Sequence, residues 1–219
     1  MMEGLVRTLS LTLLLTSFLA VESRSMRRAI LAYMVQALIM VAIIAAFATI
    51  HPRLWIWVAT AFLTKFGLIS WMLIHAARAG DDHEVPPYVS RWVSAALVGG
   101  LALMVYSFIH AHASFLAPTL QAEQEPYRTN MAVALTLLFV GTYTVLTRRD
   151  ALKVVIGVCL MENGAHLSLV TLANGMHETV LIGIVTDVVV TIFLMLHLVH
   201  GIEEKLGTRD TARLRALRW

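Results

Sequence analysis

Seven long apolar runs fill most of the 219-residue chain, with polar residues gathered between them: Gly4–Val21, Ala29–Ile50, Leu54–Ala77, Arg91–His112, Thr129–Thr147, Val154–Ala173 and Val180–Gly201. About 20 residues at 1.5 Å rise span the hydrocarbon core of a bilayer, so each run is long enough to cross it as a helix. The runs are continuously apolar rather than alternating, which favours helices over barrel strands. The pattern predicts an all-α, polytopic membrane protein of seven transmembrane helices forming a single membrane domain. Two long, proline-punctuated connections, Arg78–Pro87 and Pro118–Pro126, divide it. Four N-terminal helices fall within residues 1–127, a three-helix unit occupies 128–203, and a short basic tail covers 204–219. Arg7 before the apolar core of the first run gives it the look of a signal sequence. Phe18-Leu-Ala20 lacks a small-x-small cleavage pattern, however, and the run reads as the first span.

Composition agrees with that reading, since 58% of residues are hydrophobic and only 14% charged, far from globular norms. Basic residues are unevenly placed. Arg24, Arg27, Arg28, Arg78, Arg91, Arg148, Arg149, Lys153, Lys205, Arg209, Arg213, Arg215 and Arg218 all fall on one side of the seven-span topology. They are 13 of the 17 Lys and Arg. Arg7, Arg53 and Arg128 fall on the other side. The positive-inside rule then puts the N-terminus outside and the C-terminus in the cytoplasm. The net positive charge is thus a topology signal, and no nucleic-acid partner is expected. Trp55, Trp57, Tyr88, Trp92 and Tyr127 near run ends suit interfacial anchoring. One cysteine, Cys159, excludes an intrachain disulfide and a Cys-rich zinc or iron–sulfur site. Any redox metal is expected in partner subunits, with no cofactor in this chain. His110-x-His112 is a weak metal signal.

Three ionisable residues interrupt the apolar runs: Lys65, Glu162 and Asp187. A charge at the bilayer centre costs about 2.5–3.5 kcal/mol even on lenient insertion scales, so each is a candidate functional group. Lys65 and Glu162 are central in their runs, and Asp187 lies within about 6 Å of the midplane. His166 follows Glu162 by four positions and shares its helix face. Groups stacked along the membrane normal would suggest a pore; groups in one layer suggest protons moving sideways within the membrane. Thr186, Thr191 and Asn163 are candidate supporting polar groups. Plainer readings stand beside these. A lysine–carboxylate pair can be structural glue, His166 can be a packing histidine, and Asn163, Gly157 and Gly164 read as helix-packing residues. The tail reads as an orientation-setting segment, or one that lies on anionic headgroups or a soluble subunit.

Leu160-Met161-Glu162-Asn163-Gly164-Ala-His166-Leu167 and Gly183-Ile-Val-Thr186-Asp187 resemble a known family. Over essentially its whole length the chain is similar to the E component of hydrogenase-4 and formate-hydrogenlyase membrane arms. Its last three helices resemble the K subunit of respiratory complex I and the corresponding antiporter subunit. The resemblance implies a proton-conducting membrane subunit of a redox-driven proton pump, resident in a prokaryotic plasma membrane. Antiporter-like and other membrane subunits and a soluble redox arm would be its partners. Two intramembrane glutamates belong to the lateral path of the K subunit. Glu162 matches the first by motif, and Asp187 stands at the second, one methylene shorter. Glu162 and Asp187 would exchange protons through water, Thr186, Thr191 or His166, with Lys65 a switching cation or a static counter-ion. A purely structural scaffold and a subunit of a cation/proton antiporter remain as alternatives. A stand-alone transporter lacks the expected inverted repeats, and retinal proteins carry their lysine on the last helix. The topology is checked by fusing reporters behind Trp219. One that folds only in the cytoplasm should be active and one that folds only outside should be silent; the reverse pattern would refute the orientation.

Overall fold

A computed structural model describes residues 2–78, 82–116, 123–172 and 178–216, without the side chains of 116, 178–185, 215 and 216. The seven runs form α1 (Met2–Glu22), α2 (Met26–Ala48), α3 (Leu54–Arg78), α4 (Arg91–Ala111), α5 (Tyr127–Thr147), α6 (Ala151–Leu172) and α7 (Glu178–Leu206). All seven are long and apolar enough to cross a membrane. A single turn, Ala113–Leu116, follows α4, and a 3₁₀ segment, Thr211–Ala216, ends the described chain. Ala173, the end of the sixth run, lies outside the described residues, as do the last three residues of the tail.

Glycine sets the tightest contact, between α5 and α6. A Cβ on Gly164 would meet the Ala134 carbonyl at 2.5 Å, and one on Gly141 would meet the Gly157 carbonyl at 2.7 Å. Small residues let helix backbones approach where lipid offers no hydrophobic drive to associate. α6 is consequently enclosed along most of its length, while α4 and α7 lie at the periphery. Trp92, Leu103 and Phe108 on α4 and Phe193 and Leu198 on α7 are exposed, as residues facing lipid or a neighbouring chain would be.

The basic end is closed by charges from distant segments. Lys153 donates to the carbonyls of Ala20 (2.7 Å), Val21 (3.0 Å) and Ser23 (2.7 Å), placing a cation on the C-terminus of α1. Arg148 bridges Glu22 (2.5 Å) and Glu84 (3.2 Å). Asp82 accepts from the Ser25 hydroxyl (2.8 Å) and the Arg27 backbone N–H (3.0 Å), capping α2. The 82–90 segment, a polar loop in the sequence, is therefore a plug: the Glu84 side chain is only 4% exposed. Burial pushes the Glu84 and Asp150 carboxyls above their ordinary values, against Lys153 and Arg148 for the first and Arg209 for the second. The start of the tail is anchored as well. Arg149 grips Asp210 (2.5 and 3.1 Å), and the Ala151 N–H donates to the Arg209 carbonyl (3.0 Å), so the tail's first residues bind the chain's own α5–α6 turn.

Overpacking a tight site costs about 1–3 kcal/mol or more. Gly164→Leu should therefore lower the amount and melting temperature of the purified protein. Gly99→Leu on α4, where nothing lies within 4 Å, should leave both near wild type. Equal effects would refute the contact.

Candidate functional site

Lys65 lies at the middle of α3, within a π-helical stretch, Phe62–Ile69. Hydroxyls accompany this wide segment. Thr64 Oγ1 donates to the Thr60 carbonyl (2.7 Å) and Ser70 Oγ to the Lys65 carbonyl (3.0 Å). Side-chain hydroxyls that bond back to carbonyls supply donors where the regular helical ladder is disturbed, and π segments recur at functional positions. An apolar cluster lies on each side of the lysine. Tyr33, Ile69, Leu73, Ile156 and Cys159 belong to one cluster, and Met40, Trp57, Ala61, Leu137 and Leu167 belong to the other. Between them runs a thin polar layer.

All three ammonium protons of Lys65 are used. They go to Glu162 Oε2 (2.7 Å), Asn163 Oδ1 (2.7 Å) and His166 Nδ1 (3.0 Å). The lysine is only 2% exposed, and Asn163 and His166 are buried beside it. His166 Nδ1 also touches Glu162 Oε1, one helical turn away on the same face. One ring nitrogen thus faces a donor and an acceptor together. It accepts from Lys65 when neutral there and donates to Glu162 when it carries a proton. Two proton arrangements fit one set of heavy atoms. The far ring nitrogen, Nε2, and the Nε1 of neighbouring Trp57 have no protein hydrogen-bond partner among the described residues. The two rings are 5.6 Å apart.

Of the residues marked out by sequence, Lys65, Glu162 and His166 come together. Asn163, a candidate supporting polar group, joins them as a lysine ligand. Asp187 does not join: it is exposed on α7, and among the described residues no hydrogen bond or ion pair links it to the cluster. Thr186 and Thr191 are exposed on the same helix. His110 and His112 have separate partners, Glu125 at 3.1 Å and the Phe108 carbonyl at 3.0 Å. Sequence reasoning missed the π segment, Trp57 as a wall of the site, and the buried Glu22–Arg148–Glu84 bridge at the basic end.

Seven apolar helices around a buried layer of ionisable side chains define a multi-pass membrane protein. Residues 130–219 match the family described as NADH-ubiquinone/plastoquinone oxidoreductase chain 4L. Over 216 residues the chain is 30% identical to hydrogenase-4 component E of Escherichia coli (strain K12), which covers 98% of this chain and 97% of that protein. The same figures hold for hydrogenase-4 component E of Escherichia coli O157:H7 and of Shigella flexneri. The chain belongs to the hydrogenase-4 component E family. No solved structure matches it.

Removing one partner of a buried ion pair strands the other's charge, at a cost of about 3–5 kcal/mol. Lys65→Met and Glu162→Gln should each lower the thermal stability of the purified protein. The double variant should be at least as stable as the worse single one. Penalties that simply add would mean that the two side chains are not coupled.

Proposed function

We propose that the chain is the proton-conducting membrane subunit of a complex I-like, group 4 hydrogenase-type redox-driven proton pump. The observation that carries this reading is the Lys65–Glu162–His166 contact, where a proton has alternative positions at the middle of the membrane. The match of its last helices to oxidoreductase chain 4L and of its whole length to hydrogenase-4 component E supplies the class of complex. The redox centres belong to other subunits, and the complex sits in the plasma membrane with this chain's basic side in the cytoplasm.

Protons travel laterally. Glu162 keeps 12% of its side chain exposed, at the edge of the α6 stripe that carries exposed Ala165. Asp187 and Thr191 stand on the uncovered face of α7. Antiporter-like subunits pack against these faces, and a proton passes from the Lys65–His166–Glu162 cluster through water to such a neighbour, with Asp187 as the second carboxylate. Burial favours the neutral carboxyl, and a cation favours the ionised one. A change in a neighbour's charge therefore loads or unloads Glu162, and Lys65 is the local cation that it works against.

The short Lys65–Glu162 distance also favours a second reading, in which the pair is a structural lock in a scaffold subunit. One experiment separates them. Glu162→Gln in the assembled complex should leave subunit composition intact and reduce proton pumping in sealed inverted vesicles by at least tenfold. Normal pumping in an intact Glu162→Gln complex overturns the relay. For Asp187, the Asn variant should impair coupling and the Glu variant should retain most of it. An Asp187→Asn complex that pumps normally removes this residue from the path.

A further inference from the structure

A groove of about 590 Å³ runs between α3 and α7, walled by apolar residues, with His75, His197, His200 and Glu203 along it. Its shallow end is at the basic side of the membrane. His75 is three residues before the end of α3 at Arg78, and Glu203 is three before the end of α7 at Leu206. Its deep end is at Leu68 and Val190, which are three residues from Lys65 and from Asp187. The groove thus joins the basic surface to the level of the buried charges.

We propose that this groove is a water-filled half-channel that brings protons from the basic side to that level, with His75, His197, His200 and Glu203 as its titratable stations. The proposal rests on the proton-conducting reading above. Space is sufficient: at about 30 Å³ per molecule the volume holds on the order of twenty waters. The chemistry fits as well, because imidazole is the side chain that takes up and releases protons nearest neutral pH. His197, His200 and Glu203 follow at steps of three on one helix, so each is a neighbour of the next on the helix surface. His75 lines the same space from α3, where Trp71 stacks on its ring at 5.7 Å. Among the described residues no hydrogen bond or ion pair joins these four groups to one another or to other side chains. A lipid tail filling the groove would desolvate three imidazoles and a carboxylate with nothing in exchange, whereas water solvates them and links them. Val190, which lines the groove, is three residues from Asp187 and so borders the exposed stripe of Asp187 and Thr191. A subunit covering that stripe therefore closes the open side of the groove.

The native cysteine is buried, which leaves the chain ready for thiol mapping. His197→Cys and Phe193→Cys in the assembled complex each place a thiol in the groove, and the Phe193 variant keeps all four titratable groups. A positively charged, membrane-impermeant methanethiosulfonate reacts with thiolate and so requires water. Added from the basic side, it should modify both groove cysteines, but not Leu103→Cys, placed on the exposed face of α4. Modification of Phe193→Cys should then reduce proton pumping at least fivefold. Groove cysteines that resist the reagent overturn the proposal, as does complete modification without loss of pumping. Labelling needs no pumping, so its failure is distinct from that of the Glu162 relay, which Glu162→Gln tests separately.

Discussion

The ion pair between Lys65 and Glu162 is the interaction on which the rest of this membrane domain depends. An ammonium group in the middle of a bilayer is tolerated only when its charge and all of its protons are answered, and here three acceptors answer them within 3.0 Å. That requirement reaches outward. α3 must bring Lys65 to α6 at the depth of Glu162, and it does so with a π-helical stretch at mid-membrane. α6 must be held in one register, and the glycine contacts with α5 hold it. Two apolar clusters, one toward each side of the membrane, confine the polar layer between them.

A pair held this firmly is compatible with proton traffic because it is not a simple pair. His166 Nδ1 touches both partners, so the proton on it is shared by geometry. An added proton therefore needs no large movement of heavy atoms to be accommodated, only a change in which bonds donate. The basic end works differently. Lys153, Arg148, Glu22, Glu84, Asp150 and Arg209 are fixed on helix termini and loops, where they replace solvent for the last turn of α1 and the first turn of α6. That network is mechanical closure, and it includes Arg148, Lys153 and Arg209, three of the basic residues on which the expected orientation rests.

Much of this was legible from residues alone, for a physical reason. A charge inside an apolar run stands out, and helix rise converts its position into depth, so Lys65, Glu162 and His166 could be placed in one layer before any contact was seen. Asn163 carried two readings, supporting polar group and packing residue, because amides serve both purposes between helices. Glu84 was lost in a loop of polar residues that reads as solvated. Its burial depends on Arg148 and Lys153, more than sixty residues away in sequence. The sequence shows a short basic tail but not its anchor, the pairing of Asp210 with Arg149. Asp187 illustrates the converse limit: its depth is readable, but among the described residues no contact ties it to the cluster.

The central claim is that Glu162 changes protonation while the surrounding side chains stay in place. Redox-triggered infrared difference spectroscopy on the assembled complex tests it most directly, because a protonated carboxylic acid has its own carbonyl stretch, separate from that of a carboxylate. The account predicts a carboxylic-acid band that appears or disappears with turnover, shifts in deuterated water, and is missing from Glu162→Gln. A difference spectrum without such a band, or one whose band persists unchanged in Glu162→Gln, would contradict it.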